Sequence, residues 1–160
     1  MVDETAVEPM KNNEIIKRLR FILDVEDAVL VDCFTAGGIT ITLDRVAGFA
    51  CAADDKNYQE CTDEEMSGFL DGLIIHRRGP PKNGVRNPVA LNNNVKMKKI
   101  RIALELEARD LDNAFMLSDC ELSPHEISSL FRKPGTKHYV ECTDHLFERF
   151  LSGLSLYFRS

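Results

Sequence analysis

The chain has 160 residues, 44% hydrophobic and 29% charged, with a formal net charge of −6 at pH 7. These are the proportions of an ordinary folded protein, and no apolar run approaches the ~20 residues of a membrane-spanning helix. The acidic, polar stretch from Met1 to Lys11 has neither the apolar core of a secretory signal nor the Arg-rich makeup of a transit peptide, so a cytoplasmic location with no membrane partner is expected.

Residues 1–11 read as a disordered extension, because Asp3, Glu4, Glu8 and Pro9 offer no periodic apolar face to bury. From Asn12 onward the chain repeats itself. A shift of 81 residues pairs 12–79 with 93–160 without a gap, and 19 of those 68 pairs are identical. Average residue usage would give roughly 4, so the unit is duplicated. The stretch Tyr58-Gln59-Glu60-Cys61-Thr62-Asp63 returns as Tyr139-Val140-Glu141-Cys142-Thr143-Asp144.

Each unit reads as four helices. The first is predicted over Asn13 to Leu23 and again over Asn94 to Leu104, with Ile15, Ile16, Leu19 and Ile22 at helical spacing and an Asn at each start as the cap. The second covers Glu26 to Ala36 and Glu107 to Leu117, with Leu30 and Phe34 matched by Leu111 and Phe115 one turn apart. Gly37-Gly38 ends it in the first unit and Ser118-Asp119 in the second. A third helix opens at Thr42 and at Ser123, the latter with Pro124 and Glu126 in capping-box spacing. The fourth opens at Thr62, with Glu65 three residues on, and at Thr143. Gly72 and Gly153 lie inside it, and a residue that costs a helix about 1 kcal/mol relative to Ala predicts a tight helix crossing when both copies keep it.

Residues 79–92 form a Pro/Gly linker between a first helical repeat over 12–78 and a second over 93–160. A unit this small buries only about 60% of its unfolded surface, so the two are expected to depend on each other. The predicted fold is therefore all-α: two tandem four-helix repeats packed pseudo-symmetrically into one helical bundle.

Charge placement suggests the first candidate site. From His76 to Arg101 the chain carries eight basic residues and no acid. Lys17, Arg18 and Arg20 fall at the same repeat positions as Lys98, Lys99 and Arg101, and Arg77 and Arg78 close the first unit. A basic stripe presented twice is a candidate contact for nucleic-acid phosphates. Its bland counterpart is a solvated face with local pairs, such as Arg20 with Asp24 and Arg101 with Glu105.

Arg20 with Tyr58 and Glu60, and Arg101 with Tyr139 and Glu141, form a second set, expected to be structural ion pairs that tie the loop to the first helix. No nucleophile or second acid stands near them at a telling spacing, so no catalytic residue is assigned. Five cysteines, none in a Cys-x-x-Cys pair, read as reduced and packed. His138, Cys142 and His145 are zinc-binding residue types, but the first copy has no equivalent histidines and no fourth ligand is evident, so no metal or cofactor is assigned.

Asn12-Asn13-Glu14-Ile15 with Leu19-Arg20-Phe21, Phe69-Leu70-Asp71-Gly72-Leu73-Ile74-Ile75, Asn92-Asn93-Asn94, and above all Leu130-Phe131-Arg132-Lys133-Pro134-Gly135 leading to Tyr139, resemble the YehS-like family. That resemblance spans nearly everything from Asn12 to Arg159. It implies a cytoplasmic, bacterial, all-helical two-repeat protein built from a domain of unknown function, and it supplies no catalytic residues. Ala50 to Asp55 departs from it, being apolar and acidic where a more basic or tryptophan-bearing stretch is expected. The leading expectation is a non-enzymatic interaction module that binds a protein partner or self-associates. Nucleic-acid binding is the alternative, and a small-molecule enzyme, with no cofactor fingerprint to support it, comes last.

Overall fold

The computed structural model describes residues 9–81 and 90–159; residues 1–8 of the extension expected over 1–11 and the middle of the linker, with Lys82 and Arg86, lie outside the described residues. Among the described residues there are eight α-helices and no strand. The first repeat holds α1 (Asn12–Leu23), α2 (Asp27–Ala36), α3 (Leu43–Phe49) and α4 (Asp63–Arg78). The second holds α5 (Asn93–Leu104), α6 (Ala108–Leu117), α7 (Pro124–Ser129) and α8 (Asp144–Arg159). None is long and apolar enough to cross a membrane.

Local chemistry sets most of these boundaries. The Thr42 hydroxyl accepts from the Arg45 N–H at 3.2 Å to start α3. Thr62 and Glu65 close a full capping box on α4 (3.1 and 2.9 Å), as Ser123 and Glu126 do on α7, where Pro124 needs no partner for a missing N–H. On α8 half of the box survives, Thr143 accepting from Leu146 N at 3.1 Å. α1 and α5 differ from expectation. They begin a residue early, at Asn12 and Asn93; Lys11 precedes α1 without a side-chain cap, and it is Asn92 that caps α5, accepting from Val95 N at 2.9 Å. Asn13 and Asn94 are thereby released for a different task.

Within each repeat the second helix packs on the fourth, α2 on α4 and α6 on α8. The glycines make this approach possible: a Cβ at Gly72 would lie 1.6 Å from the Cys33 carbonyl oxygen, and one at Gly153 would lie 1.8 Å from that of Ala114. Phe34 joins Phe49 and Phe69 in an aromatic cluster (ring centroids 5.9 and 4.9 Å), matched by Phe115, Phe150 and Phe147 in the second repeat.

The first helices behave differently, because α1 lies against α8 and α5 against α4. Each repeat therefore lends its first helix to cover the last helix of the other. Ile15, Ile16 and Leu19 from one side and Met97 and Ile100 from the other are fully buried in a single continuous core. Lys96, at the repeat position of Ile15, is half-buried; burial lowers its pKa below the ordinary lysine range, and the charges of Asp63 and Asp144, one from each copy of the repeated motif, oppose that shift.

Candidate anion site in the second repeat

The polar residues shared by both repeats have structural work. Asn13 Nδ2 donates to the carbonyls of Phe49 (3.1 Å) and Gln59 (2.7 Å), while its Oδ1 accepts from Cys61 N at 2.9 Å. Asn94 does the same with Leu130, Val140 and Cys142 at 2.9, 2.9 and 2.8 Å. Beside them Asn12 and Asn93 bond the carbonyls of Cys61 and Cys142 and the carboxylates of Asp63 and Asp144. Two adjacent asparagines thus anchor the loop before the fourth helix, and one amide satisfies three buried main-chain groups.

The expected tether through Arg20, Tyr58 and Glu60 does not form. Arg20 Nε donates to Asp27 at 2.8 Å, Arg101 Nε donates to the Leu106 carbonyl at 3.1 Å, and Glu60 and Glu141 are exposed. Tyr58 and Tyr139 are half-buried in the loops that the asparagines hold. The asparagines win because a neutral amide fills a buried corner without the desolvation cost of a charge. The pairs expected one turn apart, Arg20 with Asp24 and Arg101 with Glu105, are also replaced. Asp24 instead meets Arg159 at 3.4 Å and Glu105 meets Arg78.

Those two pairs are equivalent under the repeat, and both bridge the two units. Arg18 reaches Ser152 (3.0 Å) and Glu148 (3.2 Å) on α8, and at the equivalent place Lys99 pairs with Asp71 on α4. Arg77 donates to the Ala103 carbonyl at 2.9 Å. Lys17 meets Glu14 at 3.8 Å. Of the nucleic-acid candidates Lys17, Arg18, Arg20, Arg77, Arg78, Lys98, Lys99 and Arg101, only Lys98 has no protein acceptor among the described residues; the others serve the inter-repeat seam or pair locally.

The repeats differ most around their third helices. In the first repeat Arg45 forks onto Glu65 (2.6 and 2.8 Å) and also donates to Gln59 Oε1 and the Glu60 carbonyl. The Arg45 hydrogen bonds hold the Glu65 carboxyl below its usual range. In the second repeat these positions are Glu126, Leu146 and Val140. The fork is gone, and a cavity of about 320 Å³ lies beside α7, lined by Leu122, Val140, Leu146 and by His125 and His138, whose rings meet edge-on at 5.5 Å; the equivalent place beside α3 is a cavity of about 670 Å³ lined by Arg45, Asn57 and Gln59.

On the other side of α7 lies a groove of about 430 Å³, at the low end of the roughly 300–1,000 Å³ of ordinary ligand sites. Its apolar lining is Leu111, Ile127, Pro124 and Phe131, and its polar lining is Arg101, Arg109, Arg132, Ser128 and Asp112. Arg101 is half-buried with its guanidinium over the Phe131 ring, 4.7 Å from the centroid. With Nε spent on Leu106, its two terminal NH₂ groups have no protein acceptor among the described residues. Arg109 meets only Glu107, at 3.6 Å and highly exposed, and Arg132 has no acid partner among the described residues.

At the equivalent positions of the first repeat Asp27 neutralises Arg20, and Ala28, Ala47, Ala50 and Cys51 stand where the second repeat has Arg109, Ser128, Phe131 and Arg132. Three arginines against one aspartate leave the groove at +2, where Arg20 and Asp27 cancel. Sequence reading had missed Arg109 and Arg132. The signal was the replacement of Asp27 by Ala108 within an otherwise kept Arg20/Arg101 pair.

No group of three or more His, Cys, Asp or Glu side chains is arranged to hold a metal ion among the described residues. Cys61 and Cys142 are buried, and burial pushes both thiols up to about 12.

Two related four-helix units that exchange their first helices across a pseudo-twofold seam define an all-helical tandem-repeat protein. The chain belongs to the family described as protein of unknown function (DUF1456), which matches it twice, over residues 12–79 and 93–160. It is 31% identical over 148 residues to the uncharacterised protein YehS of Escherichia coli (strain K12), an alignment covering 91% of this chain and 95% of that one. No solved structure matches it.

Proposed function

We propose that the chain is a non-enzymatic interaction module in which the first repeat is scaffold and the second recognises a protein partner through the arginine groove beside α7. One observation carries this reading: the acid that neutralises Arg20 is absent at Arg101, and two further arginines stand where the first repeat has Ala28 and Cys51. Guanidinium groups that keep free N–H donors beside apolar surface are the donors favoured where partners bear oxyanions. The five free cysteines suit a reducing compartment such as the cytoplasm.

The test is affinity capture from cell extract with immobilised full-length protein, comparing the natural chain with an Arg109→Gln/Arg132→Gln variant. Both side chains are exposed, so folding is expected to be unchanged by circular dichroism. A stoichiometric partner held by the natural chain and lost by the variant is the expected result. Equal capture by both overturns the assignment of the groove.

A further inference from the structure

Resting on that reading, we infer that the group the groove accepts is a phosphoryl group, carried on a side chain of the partner protein. The charge balance of the groove is the first argument. Its lining sums to +2, reduced to +1 by Glu107 beside Arg109 at the solvent rim, and a phosphate monoester, at about −1.5 to −2 at pH 7, is drawn to that excess of cations more strongly than a single carboxylate. Donor geometry is the second. Arg101 comes from α5, Arg109 from α6, Arg132 from the turn after α7, and the Ser128 hydroxyl from α7 itself. Donors from four segments suit a tetrahedral oxyanion with three free oxygens, while a planar carboxylate is met by one fork.

The surroundings agree. The turn after α7 carries Arg132, Lys133 and Lys137 with no acid, where the first repeat has Asp54, Asp55 and Lys56. Arg101 is pre-positioned by its Leu106 bond and the Phe131 ring, which lowers the entropy lost on binding. Leu111, Ile127 and Pro124 supply an apolar wall for the body that bears the phosphoryl group.

Phenyl phosphate, inorganic phosphate and benzoate are the probes, titrated into full-length protein at low ionic strength and followed by calorimetry and by amide chemical shifts. Phenyl phosphate is expected to bind more tightly than either of the others, with shifts centred on residues 101–112 and 124–132. Arg132→Gln is expected to weaken it about tenfold, the loss of one charge-assisted fork. Lys98→Gln, a basic residue outside the groove, is expected to leave it unchanged. No binding, equal weakening by Lys98→Gln, or preference for benzoate overturns the inference.

The protein source is tested by treating the extract with phosphatase before capture. Loss of the partner supports it. Capture that survives phosphatase yet needs Arg109 and Arg132 overturns the phosphoryl inference and leaves the proposed function standing. Capture independent of those arginines overturns both. Phenyl phosphate binding with no partner captured through Arg109 and Arg132 assigns the site to a free phosphorylated small molecule and overturns the protein source.

Discussion

Asn13 and Asn94 show how much one amide can carry. Each is buried and saturates three main-chain groups that belong to two different segments, the end of the third helix and the loop before the fourth. Replacement by Ala leaves two carbonyls and one N–H without partners, and each orphaned buried group costs about 1–3 kcal/mol. Asn13→Ala and Asn94→Ala are each expected to lower unfolding free energy by roughly 3 kcal/mol in urea titrations, with relaxation of the loop admitting water to limit the loss. An Asn12→Ala change, which touches the exposed Asp63 carboxylate and one carbonyl, is expected to cost less. The sequence displayed both asparagines in both copies, but a side chain's partners 36 to 48 residues away are invisible to local spacing, so they read as caps.

At the scale of elements, helix starts were legible because capping is local: Thr62 with Glu65 and Ser123 with Glu126 each lie within four residues. The inward glycines were also legible, since a residue unfavourable to helices and present twice demands a packing reason. Gly72→Ala and Gly153→Ala ought to raise helix propensity, yet each new methyl would meet a carbonyl oxygen under 2 Å away. Both are expected to destabilise by about 1–3 kcal/mol or more, read as a lowered midpoint of thermal unfolding. The charged stripe on the first helix shows the opposite case. Two of its basic residues looked free because their partners sit on the other repeat: Arg18 with Ser152 and Glu148, and Lys99 with Asp71.

For the whole molecule, the exchange of first helices makes the two units one folding body. Residues 93–160 expressed alone would expose Met97 and Ile100 on α5, which α4 covers in the full chain, and would leave α8 without α1. A unit of that size buries only about 60% of its surface in any case. The isolated second repeat is therefore expected to be largely unfolded by circular dichroism, with structure recovered when residues 1–81 are added in trans. Both regions vary between the copies: at the seam Arg18 answers to Lys99 and Asp71 to Ser152, keeping a bridge, whereas Arg45 answers to Glu126 on the third helix and Asp27 to Ala108 at the start of the second, keeping none among the described residues.

The sequence by itself determined the duplication, the all-helical class, the helix starts at Thr42, Thr62, Ser123 and Thr143 and the close crossing at Gly72 and Gly153, because each rests on spacing within one segment or on comparison of one copy with the other. Tertiary structure decided which charges are spent and which remain. Salt bridges, loop anchors and groove linings join residues that only folding brings together. Arg18, Lys99 and Arg78 therefore became seam residues, while Arg101, Arg109 and Arg132 came to line one groove.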